Sequence, residues 1–150
     1  MKDRNGKDIH FDISKVYLKF SDIHGRGVFA KHPIDLGDTI EVFPLTPCAF
    51  RTHYQGDPTI MHYAWVRDNC PCDECKKHGF QMYLSSGYAN MYNHQEPDKC
   101  NARIEIEHKD LYGKVIANKT IKIDEEIVIY YGPNFSFPKG EVINHENSPR

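Results

Sequence analysis

No run of apolar residues in this chain has the length of a membrane-spanning helix, for which about 18 consecutive residues are needed, or of the apolar centre of a signal peptide. The opening residues, Met1-Lys2-Asp3-Arg4-Asn5-Gly6-Lys7-Asp8, are polar and charged. The expectation is a protein that stays inside a cell, in the cytoplasm or a host nucleus, without secretion and without a membrane partner. An excess of charge of either sign is also missing: the formal net charge is -2 and the pI is near 6.5. The basic footprint that dominates nucleic-acid binding is thus absent from the chain as a whole, and no direct nucleic-acid partner is expected. A slightly acidic surface suits a basic peptide better, although net charge bears on association more than on chemistry. Two further absences narrow the fold. No stretch of about ten residues has a helical period, and no internal repeat is present.

What is present reads as strands. Hydrophobic residues make up 39% and charged residues 27% of 150 residues, an ordinary balance for a globular protein with a single core. Lys15 to Phe20 alternates, with Val16, Leu18 and Phe20 on one side, the period of a half-buried strand. Ser21-Asp22-Ile23-His24-Gly25 is turn chemistry. Val28-Phe29-Ala30 resumes an apolar run, Pro33 to Asp38 breaks it, and Thr39 to Phe43 follows. Ile60 to Val66 is aromatic and extended. Phe80 to Leu84, Asn101 to Glu107, Gly113 to Ala117 and Ile127 to Tyr131 are further strands. The fold class is mainly β, with short strands in several small sheets. Residues 1–14 form a polar N-terminal segment, 15–137 the folded domain with a cysteine-rich insertion at 68–79, and 138–150 a polar tail that frays.

Three segments carry the chemistry. Gly25-Arg26-Gly27-Val28-Phe29-Ala30 offers backbone amides and no side-chain bulk at two positions, so a charged ligand can approach the chain closely; the same glycines also fit a plain β-turn. In Tyr88-Ala89-Asn90-Met91-Tyr92-Asn93-His94, the Asn93 amide can serve both an ammonium and a carboxylate, and His94 can lock the loop through its second nitrogen; a capped turn is the alternative. Glu125-Glu126-Ile127-Val128-Ile129-Tyr130-Tyr131-Gly132 ends on a tyrosine that, taken alone, reads as strand packing.

In this order the three segments resemble the SET domain, a family of S-adenosylmethionine-dependent protein lysine methyltransferases, and in length the chain is similar to compact viral or bacterial stand-alone members. The resemblance implies a fold of small sheets with a pseudoknot loop. It assigns the S-adenosylmethionine cofactor to Gly25, Arg26, Gly27, Val28, Asn93, His94 and Tyr131. Phe135 is the candidate to stack on adenine, with Phe137 as the other choice. Tyr131 is the catalytic residue, and Tyr63, Trp65 and Tyr92 line the channel for the substrate lysine of a histone or other protein. The family pattern N-H-S-C-x-P-N would bring a second asparagine sooner than Asn101, so the loop after His94 reads as carrying a two-residue insertion, with Asn101-Ala102 resuming the strand. A homodimer also follows from the resemblance. The rivals are a catalytically inert SET-like module and a zinc-stabilised peptide-binding domain.

An aromatic channel suits methyl transfer, which needs a neutral amine aligned with the methyl group and sulfur. Burial lowers a lysine pKa, by up to about 3 to 5 units when complete, and positioning needs no covalent intermediate. Ile129 leaves the number of methyl groups open. Of five cysteines, Cys70, Cys72 and Cys75 are close enough to share one ion, and zinc favours four such ligands. In a reducing compartment this clustering favours metal over disulfides. His78 is nearest as the fourth ligand; the resemblance instead points to Cys100, beside the Asn93-His94 loop. Free thiols are the alternative. Cys48 reads as a small buried hydrophobe.

Overall fold

The Lys15 to Phe20 alternation is realised as β1 (Val16–Phe20), which buries Val16 and leaves Phe20 72% exposed at its end. It pairs antiparallel with β2 (Arg26–Ala30), from Val16 opposite Ala30 to Phe20 opposite Arg26. The turn closes as Ser21 N–H donates to the Gly25 carbonyl at 2.8 Å, with Gly25 at φ +48°, a left-handed conformation that glycine adopts at least cost. The structure is a computed structural model and describes residues 1–48, 65–66 and 82–131.

Among the described residues seven more strands follow: β3 (Thr39–Cys48), β4 (Trp65–Val66), β5 (Met82–Ser85), β6 (Asn93–His94), β7 (Ala102–Glu107), β8 (Tyr112–Ala117) and β9 (Glu126–Ile129). They form a four-stranded sheet in the order β1-β2-β9-β6 and a five-stranded sheet in the order β4-β5-β3-β8-β7. Short 3₁₀ turns at Ala89–Met91 and Pro97–Lys99 flank β6. Among the described residues no helix is long and apolar enough to cross a membrane.

The core lies between the sheets. Val28, Ala30, Ile127 and Ile129 face it from the first, and Ile40, Phe43, Val115 and Ala117 from the second. Burying an aliphatic or aromatic side chain of this size contributes about 1.5–3 kcal/mol. Phe43 lies so close over Gly113 that a Cβ there would meet its ring at 2.3 Å, which keeps that position glycine.

Two boundaries differ from the sequence expectation. Residues 1–14, read as a polar segment ahead of the domain, lie against it: Ile9 is buried, Asp12 and Val42 exchange backbone hydrogen bonds at 3.3 Å, and the Arg4 guanidinium donates to the Lys109 carbonyl at 2.7 Å. Ile9 and a few hydrogen bonds hold this stretch, whose alternating Ile9, Phe11 and Ile13 the reading of a polar segment passed over. At the other end, β9 stops at Ile129, so Tyr130 and Tyr131 leave the ladder that the sequence extended through them.

Candidate active site

Strand order brings the three sequence segments together. β9 lies between β2, with which it runs antiparallel, and β6, with which it runs parallel; Asn93 stands opposite Val128 and His94 opposite Ile129. Residues far apart in the chain thereby occupy three neighbouring strands.

The Asn93 side chain, 1% exposed, ties these strands across. Its Nδ2 donates to the His24 carbonyl at 2.9 Å, to Glu126 Oε1 at 2.8 Å and more distantly to the Arg26 carbonyl at 3.4 Å. Glu126 Oε2 accepts the Ser21 hydroxyl at 2.9 Å. Gly27 lies directly beneath: a Cβ there would be 2.0 Å from Glu126 Oε1 and 3.2 Å from Asn93 Nδ2. The sequence left the space over Gly27 open for a ligand, but the Glu126 carboxylate fills it. Val28, expected at the cofactor, is fully buried in the core. Arg26 holds its guanidinium 5.9 Å from the centre of the Phe20 ring, a cation–π contact at the hairpin end.

Tyr131 turns back onto the same strands. Its backbone N–H donates to His94 Nδ1 at 3.1 Å, so that nitrogen carries no proton and the ring's hydrogen is on Nε2, which faces Glu96 at 3.9 Å. The two rings lie 5.2 Å apart between centroids. The Tyr131 phenol donates to the Tyr92 carbonyl, and the peptide bearing that carbonyl also bears the Asn93 amide. Tyr92, expected to line the lysine channel, has its side chain wholly buried, with its phenol donating to Glu41 Oε1 at 2.8 Å; only its carbonyl is presented to Tyr131. Burial, then the neighbouring Glu41 charge, pushes the Tyr92 phenol well above its usual pKa.

Asn101, read from sequence as the resumption of a strand, is the clasp on β9. Its Oδ1 accepts the Val128 N–H at 2.8 Å and its Nδ2 donates to the Glu126 carbonyl at 2.8 Å. Between His94 and Asn101 the chain makes the Pro97–Lys99 turn, and Gln95 N–H continues the β6–β9 pairing by donating to the Ile129 carbonyl at 3.0 Å. Asn101, Glu126 and Glu41 are the residues that sequence reasoning left without a role. The spacing from Asn93 to Asn101 was a signal for the first, and membership of the Glu125 to Gly132 segment for the second; nothing local marked Glu41.

Trp65 is placed by its backbone, paired in β4 opposite Tyr83. The Cys100 thiol is 4% exposed and donates to the Gln95 carbonyl at 3.3 Å, and burial raises its pKa. Among the described residues no group of three metal-ligating side chains comes together. Tyr63, Cys70, Cys72, Cys75, His78, Phe135 and Phe137 lie outside the described residues.

The SET domain family matches residues 25–132. No curated protein sequence matches the chain. Among solved structures, a Plasmodium falciparum protein assigned as a histone methyltransferase is similar, with a TM-score of 0.61 and 26% identity over 81% of this chain and 96% of its own. The Neurospora SET domain protein DIM-5, a histone lysine methyltransferase, has a TM-score of 0.59 and 17% identity over 82% of this chain and 54% of its own, a likeness of fold.

Proposed function

The chain belongs to the SET domain family, whose activity is protein-lysine methylation, and from that premise we propose that it is an S-adenosylmethionine-dependent N-methyltransferase acting on the lysine ε-amine of a histone or other protein. The observation that carries the proposal is the Tyr131 phenol on the Tyr92 carbonyl, one peptide from Asn93 and one strand from Gly25-Arg26-Gly27.

The residues present fit a donor with an amino-acid end. The His24 and Arg26 carbonyls that accept from Asn93 Nδ2 each keep a second lone pair, and further acceptors are what an ammonium requires. When bound, S-adenosylmethionine supplies an electrophilic methyl group. The chain's own part is placement. The Tyr92 carbonyl can accept an amine N–H, and the Tyr131 phenol held beside it fixes the direction of the remaining lone pair. A dry surround favours the neutral amine. Orientation of this kind contributes about 7–11 kcal/mol in well-aligned cases.

Tyr131→Phe tests the assignment. Turnover with labelled methyl donor and core histones should fall about 100- to 1,000-fold, the loss typical of one aligned hydrogen-bond donor. Affinity for S-adenosylhomocysteine, measured by calorimetry, should stay within about twofold. Unchanged turnover removes Tyr131 from the role, and a wild-type protein that does not bind S-adenosylhomocysteine removes the enzyme reading.

The same proposal includes a structural zinc on Cys70, Cys72, Cys75 and Cys100, with His78 as the alternative fourth ligand, in an intracellular compartment that keeps these thiols reduced. The Cys100 donor suits zinc, whose binding draws the proton from a thiol that burial otherwise keeps neutral. Protein purified without chelator and found free of zinc would remove this part. A homodimer, carried from the resemblance alone, is read by light scattering.

A further inference from the structure

Glu41 takes no part in the chemistry above, yet its carboxylate is 1% exposed, at the point in β3 where the register against β8 shifts between Thr39 and Glu41. Each oxygen accepts one hydrogen bond: Oε2 from the Tyr88 amide and Oε1 from the Tyr92 phenol, both at 2.8 Å. Gly87 makes the approach feasible. It adopts φ +73°, and a Cβ there would lie 2.4 Å from Oε2. Both donors belong to the segment leading into β6. Tyr92 is therefore held at two points, its phenol by Glu41 and its carbonyl by the Tyr131 phenol.

We propose that Glu41 is a positioning residue: by gripping the Tyr92 phenol and the Tyr88 amide it fixes the backbone of residues 88–93, so that the Tyr92 carbonyl meets Tyr131. The inference rests on the methyltransferase reading for what that carbonyl does. The linkage from Glu41 to Asn93 stands on the contacts alone.

The surroundings make the grip depend on charge. Tyr92 is the titratable side chain bonded to the carboxylate. On β8, Val115 stands opposite Glu41 and Lys114 opposite Val42; Lys15 donates to the Thr39 carbonyl at 2.8 Å; Asp12, across its bridge to Val42, accepts the Ser14 amide at 2.7 Å. None of these bonds to Glu41. Burial raises the Glu41 pKa to about 7, against the opposing pull of its two hydrogen bonds. An ionised carboxylate accepts both donors in charge-assisted bonds. The protonated form must place a hydrogen of its own and weakens one of them. The segment is held most firmly above that pH.

Amide chemical shifts of isotope-labelled protein, followed from pH 5 to 9, test this without a substrate. In the wild type the Tyr88, Tyr92 and Asn93 amides should share a component with a midpoint near 7. Glu41→Gln should abolish that component, which separates it from contributions of the His24 and His94 rings. Tyr92→Phe should retain it at Tyr88 and lose it at Asn93. Should Glu41→Gln not fold, the wild type and Tyr92→Phe decide the matter. A component at Tyr88 that never reaches Asn93, one that survives unchanged at Asn93 in Tyr92→Phe, or none at all, overturns the proposal. Because the readout needs neither methyl donor nor lysine, its failure is distinct from failure of the methyltransferase reading.

Discussion

The two sheets are held by different means. The five-stranded sheet rests on longer ladders: β7 and β8 pair through six consecutive positions, and β3 pairs with β5 through four and with β8 through five, with one register shift. The four-stranded sheet has a five-position ladder between β1 and β2, but only two paired positions at each of the β2–β9 and β6–β9 contacts that join the three motif segments. What it lacks in ladder it gains from polar side chains that reach backbone: Asn93 to His24 and Arg26, Asn101 to both sides of the peptides around Ile127, and His94 to Tyr131. Backbone pairing and apolar burial tolerate a range of side chains, whereas an amide clasp needs one residue type at one place. The sheet that joins the three motif segments is the one whose construction is least substitutable.

Substitutions can break or sharpen this contrast. The largest effect expected is on the ladder side. Phe43→Ala should cost about 3–5 kcal/mol in urea unfolding, through lost burial and the cavity left over Gly113, and a loss below 1 kcal/mol would mean that this core is not the main support. On the clasp side, Asn101→Ala leaves the Val128 N–H and the Glu126 carbonyl unpaired, at about 1–3 kcal/mol for each buried group. It should also weaken S-adenosylhomocysteine binding, since β9 carries Glu126 and leads to Tyr131. Phe43→Ala, at concentrations where it remains folded, should leave that affinity nearly intact. If the two variants lower affinity alike, the division between the sheets fails.

The smallest effect comes from pH. The folded pKa of Glu41 is raised from 4.5 to about 7, so between these values the folded chain keeps a proton that the unfolded chain has released. Stability from this group is therefore lost as pH rises through that window and is flat above it, by at most about 3 kcal/mol. Comparing unfolding free energies of wild type and Glu41→Gln at pH 5 and pH 8 isolates the term. A wild type that gains no relative stability at pH 5 would show that the carboxylate is not desolvated as described.

The strands and the three motif segments were legible because their signals are local: alternation in Lys15 to Phe20, turn chemistry at Gly25, and a dense arrangement of small, amide and aromatic residues from Tyr88 to His94. Glu41 was not, because a glutamate between Ile40 and Val42 in an alternating strand reads as a solvent-facing position; its burial follows from Tyr88 and Tyr92, which only the tertiary fold brings to it. The burial of the Tyr92 side chain was not legible for the same reason, as an aromatic beside Asn93 is as readily a core residue as a channel wall. At Gly27 the sequence reading expected the charged end of a ligand; the group that approaches is Glu126, carried there by β9, and no pattern around Gly27 itself marks that neighbour.

The placement of β9 has a consequence for biosynthesis. A ribosome delivers β2 and β6 well before β9, the strand that lies between them, so both present unpaired edges to solvent until the later segment emerges and slots in. The nascent polypeptide thus cannot join its three motif segments piecemeal. A folding helper or a premature stop acting in that interval decides whether the segments ever meet.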